Sequence, residues 1–263
     1  MSKRKVHVVS DDAGVYGLNA KTQRWFVFSG LAAVPVMFLG LVLARVFPAH
    51  NATWDAERIV AIYSGHSDVI QLGCLLMMIS FAVWGWWQAV ISLWVWRMES
   101  PRYPVLTFAT LILAGINTLV VEIMSIMYAV AAFRAGRIAP EITLTLNDIA
   151  WFFYYYTWPP YVLWLIAIAI AMLRDKRGAP YFPRWLAWLT LAQVVTILPN
   201  SLQTFSFGLV GPFAWDGFVT CTVVASFHGV WTILMAVYVL KAISREESEL
   251  SSGELAVEVP AGT

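Results

Sequence analysis

Charged residues are scarce in this chain. They make up 13% of its 263 residues, while hydrophobic residues make up 60% and the mean hydropathy is +0.69. A soluble domain usually has about 25% charged residues, so this deficit predicts a membrane protein with the lipid bilayer as its surroundings. The net charge is only +1, which provides no basic surface for phosphates, and we expect no nucleic-acid partner.

Cysteine and catalytic motifs are also nearly absent. The two cysteines, Cys74 and Cys221, both lie inside apolar runs, so there is no disulfide framework. The four histidines do not share the spacing of a metal site. No phosphate-binding loop, nucleophile motif or cofactor fingerprint is present either. We therefore expect no metal and no cofactor, and it remains open whether the protein is an enzyme.

Long uncharged runs are the dominant positive feature. Twenty-five residues without a charge separate Asp148 from Arg174, and about 20 residues at about 1.5 Å each suffice to cross the hydrocarbon core. The same layout, with an acid at one end and a base at the other, recurs from Asp68 to Arg97 and from Asp216 to Lys241. We predict an all-α, polytopic membrane helix bundle of six transmembrane helices, at about residues 25–46, 68–96, 105–133, 149–173, 184–207 and 218–240.

The basic residues predict the orientation of these helices. Thirteen of the 17 lysines and arginines fall on the side of the N-terminus, and the other four (Arg45, Arg58, Arg134 and Arg137) fall on the opposite side. By the positive-inside rule both termini are cytoplasmic. The predicted organisation is a cytoplasmic N-terminal segment (1–24), a six-helix transmembrane domain (25–243) and an acidic, Ser-rich, disordered cytoplasmic tail (244–263).

Two helical hairpins have similar turns. The turn that contains Arg97, Pro101 and Tyr103 resembles the one that contains Arg177, Pro180 and Tyr181. This likeness favours a helical-hairpin repeat whose matching helices point in the same direction. Residues that any spanning helix carries at its ends would produce the same pattern, so both explanations stay open.

Two ionisable residues are placed deep in the predicted membrane. Glu122 precedes Arg134 by twelve residues and His228 follows Asp216 by twelve, so each lies about 18 Å below the outer mouth. Helix-opening prolines fall near the same depth, at Pro35, Pro159, Pro160 and Pro199. We therefore predict a buried polar chamber at mid-membrane.

Glu122 is the leading site candidate. A carboxylate near the bilayer centre costs about 2.5–3.5 kcal/mol, so it normally faces a cavity or a partner. It is a candidate catalytic acid or base, with His228 as its proton-transfer partner. The alternative is structural: a neutral carboxyl hydrogen-bonded to Asn117, Asn200 or Gln203.

Aromatic residues are concentrated at 151–158. They favour either helix packing or a wall for a flat apolar ligand, and Tyr155 and Trp158 lie where such a wall would face the chamber. The predicted ligand-binding set is Glu122, His228, Asn117, Asn200, Gln203, Tyr155 and Trp158.

Polar residues also mark the predicted outer rim, at His66, Asp68, Asn147, Asp148 and Asp216. Each is expected at the start of a descending helix, where Asp or Asn caps free amides and complements the dipole. A polar entrance or an ion site is the functional alternative.

Several segments together resemble a known group of sequences. They are Ala131-Ala132-Phe133-Arg134, Pro140-Glu141, Leu146-Asn147-Asp148, Trp151, Phe182-Pro183-Arg184-Trp185 and the stretch 211–217. The pattern resembles a family of uncharacterised six-span integral membrane proteins of actinobacteria and related bacteria, over roughly residues 60–245. This resemblance implies a bacterial inner membrane location and no particular reaction or ligand.

Three functional hypotheses remain. The first is a protein that binds or transports a hydrophobic small molecule of steroid, terpenoid or fatty acyl type in the intramembrane chamber. The second is a membrane enzyme that uses Glu122 and His228 for proton transfer on such a compound. The third is a non-catalytic subunit whose partner is a larger membrane protein complex. We favour the first.

Overall fold

The computed structural model describes residues 10–99, 103–199 and 210–251, with side chains described from residue 19 to 249. This part of the chain is all-helical. The helices are α1 (Ser10–Leu43), α2 (Ala56–Ser64), α3 (Ser67–Met98), α4 (Val105–Arg134), α5 (Pro140–Tyr156), α6 (Trp158–Arg174), α7 (Arg184–Ile197) and α8 (Ala225–Ser251), with a π-helical segment, π1 (Phe218–Val224), leading into α8.

Within the described residues, five helical segments are long and apolar enough to cross a membrane: Asn19–Leu43, Ser67–Met98, Val105–Arg134, Pro140–Arg174 and Phe218–Glu249. The described chain is all-α, as predicted, and these segments support a multi-pass membrane protein. The predicted fifth span, 184–207, corresponds to α7 over 14 residues, and residues 200–209 lie outside the described chain. The count of six, the orientation and the hairpin repeat therefore stay predictions.

The closest helix contact is between α1 and α3, at what we call the glycine seam: Gly30 and Gly40 of α1 and Gly73 of α3. A Cβ atom added to Gly73 would lie 2.6 Å from the carbonyl oxygen of Gly40 and closer still to the backbone nitrogen of Ala44. One added to Gly30 would lie 2.5 Å from the Trp87 ring. Small residues let membrane helices approach this closely and gain dispersion energy along their length.

The predicted fourth span begins earlier than expected and is interrupted. We expected a loop up to Asn147, yet α5 begins at Pro140, because proline at the first helical position followed by Glu141 is a favourable helix start. Asn147 and Asp148 therefore lie inside α5, and the prediction that they open a helix was wrong. The helix breaks at Thr157, and Pro159 and Pro160 occupy the first turn of α6, where a missing N–H is tolerated.

Ion pairs hold one end of the bundle, which we call the basic end. Arg24 of α1 pairs with Glu247 of α8, and Arg97 of α3 pairs with Glu246 at 2.9 Å. These contacts place the part of α1 around Arg24, the end of α3 and the end of α8 side by side. They also explain why α8 continues to Ser251: the first eight residues of the predicted disordered tail, 244–251, are helical, and residues 252–263 lie outside the described chain.

The other end, which we call the His50 end, contains a short helix that the sequence analysis treated as loop. Asp55 caps α2 by accepting a hydrogen bond from the Arg58 amide at 2.9 Å. Between the two ends the core has two parts. One surrounds Trp87 and Trp164 toward the basic end, and the other surrounds Tyr128 and Trp151 toward the His50 end.

The glycine seam yields a stability prediction. Gly73→Ala should destabilise the protein by about 1–3 kcal/mol, because the new methyl group meets backbone atoms that cannot rotate away. The free energy of unfolding, measured by denaturant titration in mixed micelles, checks this. Gly115→Ala on α4 is the matched control, because an added Cβ there meets nothing within 4 Å and alanine favours the helix. Equal stability of the two variants would contradict the packing argument.

Candidate functional site

Three polar side chains from three helices meet inside the bundle. The Tyr161 hydroxyl of α6 lies 2.6 Å from Nδ1 of His228 on α8, and Nε2 of Gln193 on α7 donates to the Tyr161 oxygen at 2.9 Å. The same Gln193 nitrogen lies 3.1 Å from His228 Nδ1. Because the tyrosine oxygen already accepts from Gln193, its proton points to His228. We call this group the polar triad.

With the Gln193 amide nitrogen directed at both partners, His228 Nδ1 acts as an acceptor, which corresponds to the imidazole tautomer protonated on Nε2. No described residue hydrogen-bonds to that Nε2 atom. The side-chain oxygen of Gln193 is also buried without a partner among the described residues, although Gln193 has 0% of its surface exposed. The polar triad thus retains a buried acceptor, Gln193 Oε1, for a further polar group that can donate.

Tryptophans surround the polar triad. The rings of Trp84 and Trp231 lie 5.5 and 6.2 Å from the His228 ring, and Trp231 is nearly parallel to it, at 25°. Trp164 lies 5.8 Å from Tyr161 and 5.7 Å from Trp231. Trp231 is held in place because its Nε1 donates to the Thr190 hydroxyl at 2.9 Å. The surroundings of the triad are therefore flat, apolar and fixed.

Local features of three helices bring the triad together. Tyr161 comes directly after Pro159 and Pro160 in the first turns of α6, and Gln193 is on the buried side of α7. His228 is four residues beyond π1. A π-helical segment inserts an extra residue into the helical ladder and rotates the residues after it, and such segments recur at functional sites.

Glu122 is not part of this site. It is half-buried on α4, where its carboxylate accepts no hydrogen bond from a described residue. Helix α4 packs against α2, α3, α5 and α6, whereas α8 packs against α1, α7 and π1. The two predicted proton-transfer residues, Glu122 and His228, are thus on helices with different neighbours.

The other predicted chamber residues are scattered. Asn117 is buried on α4, and its amide nitrogen has no partner among the described residues. Trp158 is half-buried at the edge of the core that contains the triad. Tyr155 is in the other part of the core, where its hydroxyl contacts the Cys221 sulfur at 3.4 Å. Asn200 and Gln203 lie outside the described residues.

A second polar cluster lies at the His50 end. His50 is buried, with Nε2 donating to the Arg45 carbonyl at 2.6 Å and Nδ1 3.4 Å from Oδ1 of Asn147. Tyr63 donates to the same Asn147 oxygen at 2.9 Å, and the Asn147 amide donates to Asp148 at 3.3 Å. Arg45 has the left-handed φ of 58° that ends α1 and turns its carbonyl toward His50.

The predicted rim residues divide into two groups. Asn147 and Asp148 belong to the His50 cluster, and Asp216 joins it through Asn51, whose amide donates to the Asp216 carboxylate at 2.9 Å. His66 and Asp68 are exposed at the start of α3, and the His66 side chain makes no capping hydrogen bond. Within the described chain, no three His, Cys, Asp or Glu residues are arranged to hold a metal ion.

Sequence reasoning missed the residues that complete both clusters. Tyr161 and Gln193 were overlooked in the triad, and His50 and Tyr63 in the His50 cluster. The available signal was the amide of Gln193, which interrupts an apolar run between Arg184 and Ile197 as conspicuously as Glu122 interrupts its own. The tyrosines carried no such signal, because the chain has ten of them.

Comparison of the chain with protein-family models, with curated proteins and with solved structures gives no match. The resemblance to six-span actinobacterial membrane proteins accordingly stays a prediction.

The buried His50 ring yields a pH prediction. Burial lowers the pKa of His50 below its ordinary value of about 6.5, so the unfolded chain binds the proton more readily than the native protein. The stability that His50 contributes is therefore complete above about pH 6.5 and is lost as the pH falls below it. Thermal unfolding in detergent from pH 7.5 to 5.5 should show a smaller loss of stability for His50→Gln than for wild type.

The exposed His66 provides the matched control for this measurement, since it lies at the same end of the bundle. His66→Gln should show the wild-type pH dependence. A His50→Gln protein whose stability falls with pH as steeply as wild type would show that His50 is not responsible.

Proposed function

We propose that this membrane protein binds, and in the course of its function carries, a hydrophobic small molecule of steroid, terpenoid or fatty acyl type, with the ligand's polar end at the polar triad. The observation that supports this proposal is the side-chain oxygen of Gln193, which is buried and accepts no hydrogen bond from a described residue. An unsatisfied polar group away from water costs about 1–3 kcal/mol. A ligand hydroxyl that donates to this oxygen would remove that cost.

The tryptophans around the triad favour an apolar ligand. The rings of Trp84 and Trp231, which pack at 5.5 and 6.2 Å from His228, make the surroundings of the triad apolar, and they have little conformational entropy to lose on binding. Sites of this kind combine mainly apolar walls with a few placed polar groups that determine orientation. A single hydroxyl on an otherwise apolar skeleton fits this combination.

The enzyme hypothesis receives less support than ligand binding. It required proton transfer between Glu122 and His228, and their helices pack against different neighbours. Within the triad, His228 and Tyr161 can exchange a proton with each other, yet among the described residues no carboxylate orients the histidine, as Asp does in the Ser-His-Asp triad. Binding needs only the hydrogen bonds and the apolar walls.

The test is native mass spectrometry of the purified protein, with extraction and identification of any small molecule that accompanies it. Wild type should carry one apolar molecule per chain, and Tyr161→Phe and Gln193→Leu should each reduce its occupancy at least tenfold. Both changes remove a polar group and keep the shape of the side chain. Tyr155→Phe is the control, because it deletes a tyrosine hydroxyl in the other part of the core and should retain the ligand.

Two results would contradict the proposal. One is a wild-type chain that carries no small molecule other than bulk phospholipid. The other is equal ligand occupancy in wild type and the two triad variants. If the triad variants instead unfold at much lower temperature than Tyr155→Phe while wild type carries nothing, the triad serves folding and not ligand binding.

A further inference from the structure

A cavity of about 290 Å³ lies at the basic end, between the 180–184 turn and α8. Its walls include Tyr181, Pro183, Arg184, Tyr238, Lys241 and Arg245. It is separate from the polar triad, which lies deeper in the bundle. Three of its nine lining residues are cationic and the others are uncharged, so the cavity suits a ligand that combines an anionic group with an apolar part.

Two of the three cations are available for a ligand. Arg245 is already engaged: its guanidinium pairs with Glu249 at 2.6 Å and donates to the carbonyls of Ala179 and Pro180 at 3.1 and 3.3 Å. Arg184 and Lys241 are exposed and form no ion pair with a carboxylate of the described residues. The Lys241 nitrogen lies 5.0 Å from the centre of the Tyr238 ring. This cation–π contact stabilises the ammonium group and leaves its charge in place.

Helix α8 continues below Lys241 as an exposed apolar stripe. Val237, Ile233 and Val230 lie at helical spacing on the same face, and they are 39%, 57% and 55% exposed. A side chain that is apolar and exposed along a membrane helix faces lipid tails. The ammonium of Lys241 is thus at the top of a surface that acyl chains cover.

Helix α7 repeats the arrangement next to it. Trp188 and Val195 lie four and eleven residues after Arg184 on α7. Their side chains are 62% and 65% exposed. Helices α7 and α8 pack against each other, and Trp185 at the top of α7 meets the edge of Tyr238 at 5.5 Å. Tryptophan and tyrosine concentrate at headgroup level in membrane proteins. The two cations therefore lie at that level, each above an apolar stripe.

We propose that this cavity binds the phosphate of an anionic phospholipid, with Arg184 and Lys241 on the headgroup and the acyl chains along the two stripes. A basic pocket between transmembrane helices is a recognised form of headgroup site. A free phosphate would use the two cations and leave the stripes without a role. Arg245 contributes by holding the 180–184 turn against α8 through its two carbonyl contacts.

The experiment uses the full-length protein in nanodiscs of phosphatidylcholine with 0, 5 or 20% phosphatidylglycerol. Native mass spectrometry after release then counts the phosphatidylglycerol molecules retained per chain. Wild type should retain one. Each cation near an anionic headgroup is worth about a 5-fold change in affinity, so Arg184→Gln with Lys241→Gln should weaken retention about 30-fold.

The matched control is Arg174→Gln with Lys176→Gln. It removes the same charge from exposed residues at the same end of the bundle that do not line the cavity. It should retain phosphatidylglycerol as wild type does. Equal weakening in the two double variants would overturn the site, because the effect would then be one of overall surface charge.

Inorganic phosphate distinguishes the two sources of the anion. Phosphate at 10 mM should leave the retained lipid in place, and displacement of the lipid by phosphate alone would overturn the phospholipid assignment. Absence of any retained phosphatidylglycerol in wild type would overturn it as well. Thermal unfolding of each variant confirms that the changes at exposed positions have left the fold intact. None of these outcomes depends on a ligand at the polar triad.

Discussion

The hydrocarbon core of a bilayer supplies no hydrogen bonds, and this constraint governs the interior of the protein. A buried polar side chain is stabilised by a partner on another helix or in its own backbone, and one without a partner is costly. Several hydroxyls use their own backbone: Ser125 and Thr190 each donate to the carbonyl four residues earlier, at 2.8 Å. Longer side chains bond between helices, and so determine which helices must be adjacent.

The three polar assemblies obey this rule in different ways. At the basic end, Arg97 and Glu246 form an ion pair, where water and headgroups reduce the cost of charge. At the His50 end, Asn147 joins a buried histidine to a tyrosine from two other segments. Between the two ends of the bundle, the polar triad consists of neutral groups. Burying a neutral group away from water costs less free energy than burying a charge. Charge thus decreases from the basic end toward the middle of the bundle.

Close backbone contact provides the remaining stability. The glycine seam brings α1 against α3 with backbone atoms nearly in contact, and α3 in turn packs against α4 and α6. Tryptophans fill the space between these helices, and Trp87, Trp164 and Trp231 are all fully buried. The tryptophans that surround the triad are therefore part of the same packed core.

The sequence by itself determined the class of the protein and the approximate positions of its helices. A run such as Asp148 to Arg174 leaves few alternatives to a membrane helix, because its length and lack of charge match the bilayer. A constant rise per residue also predicts depth along a helix, and the expectation that Glu122 and His228 lie at one level stays a prediction. Helix starts were less certain, and the start of α5 at Pro140 was missed because polar residues continue to Asp148.

Only the tertiary structure decided which residues at one depth meet. His228 pairs with Tyr161 and Gln193 and not with Glu122. The direction in which a side chain points depends on how its helix packs against its neighbours and on local irregularities such as π1. A shift of one residue rotates a side chain by about 100°, and no spacing in the sequence predicts that rotation. The cavity between Arg184 and Lys241 depends in the same way on the packing of α7 against α8.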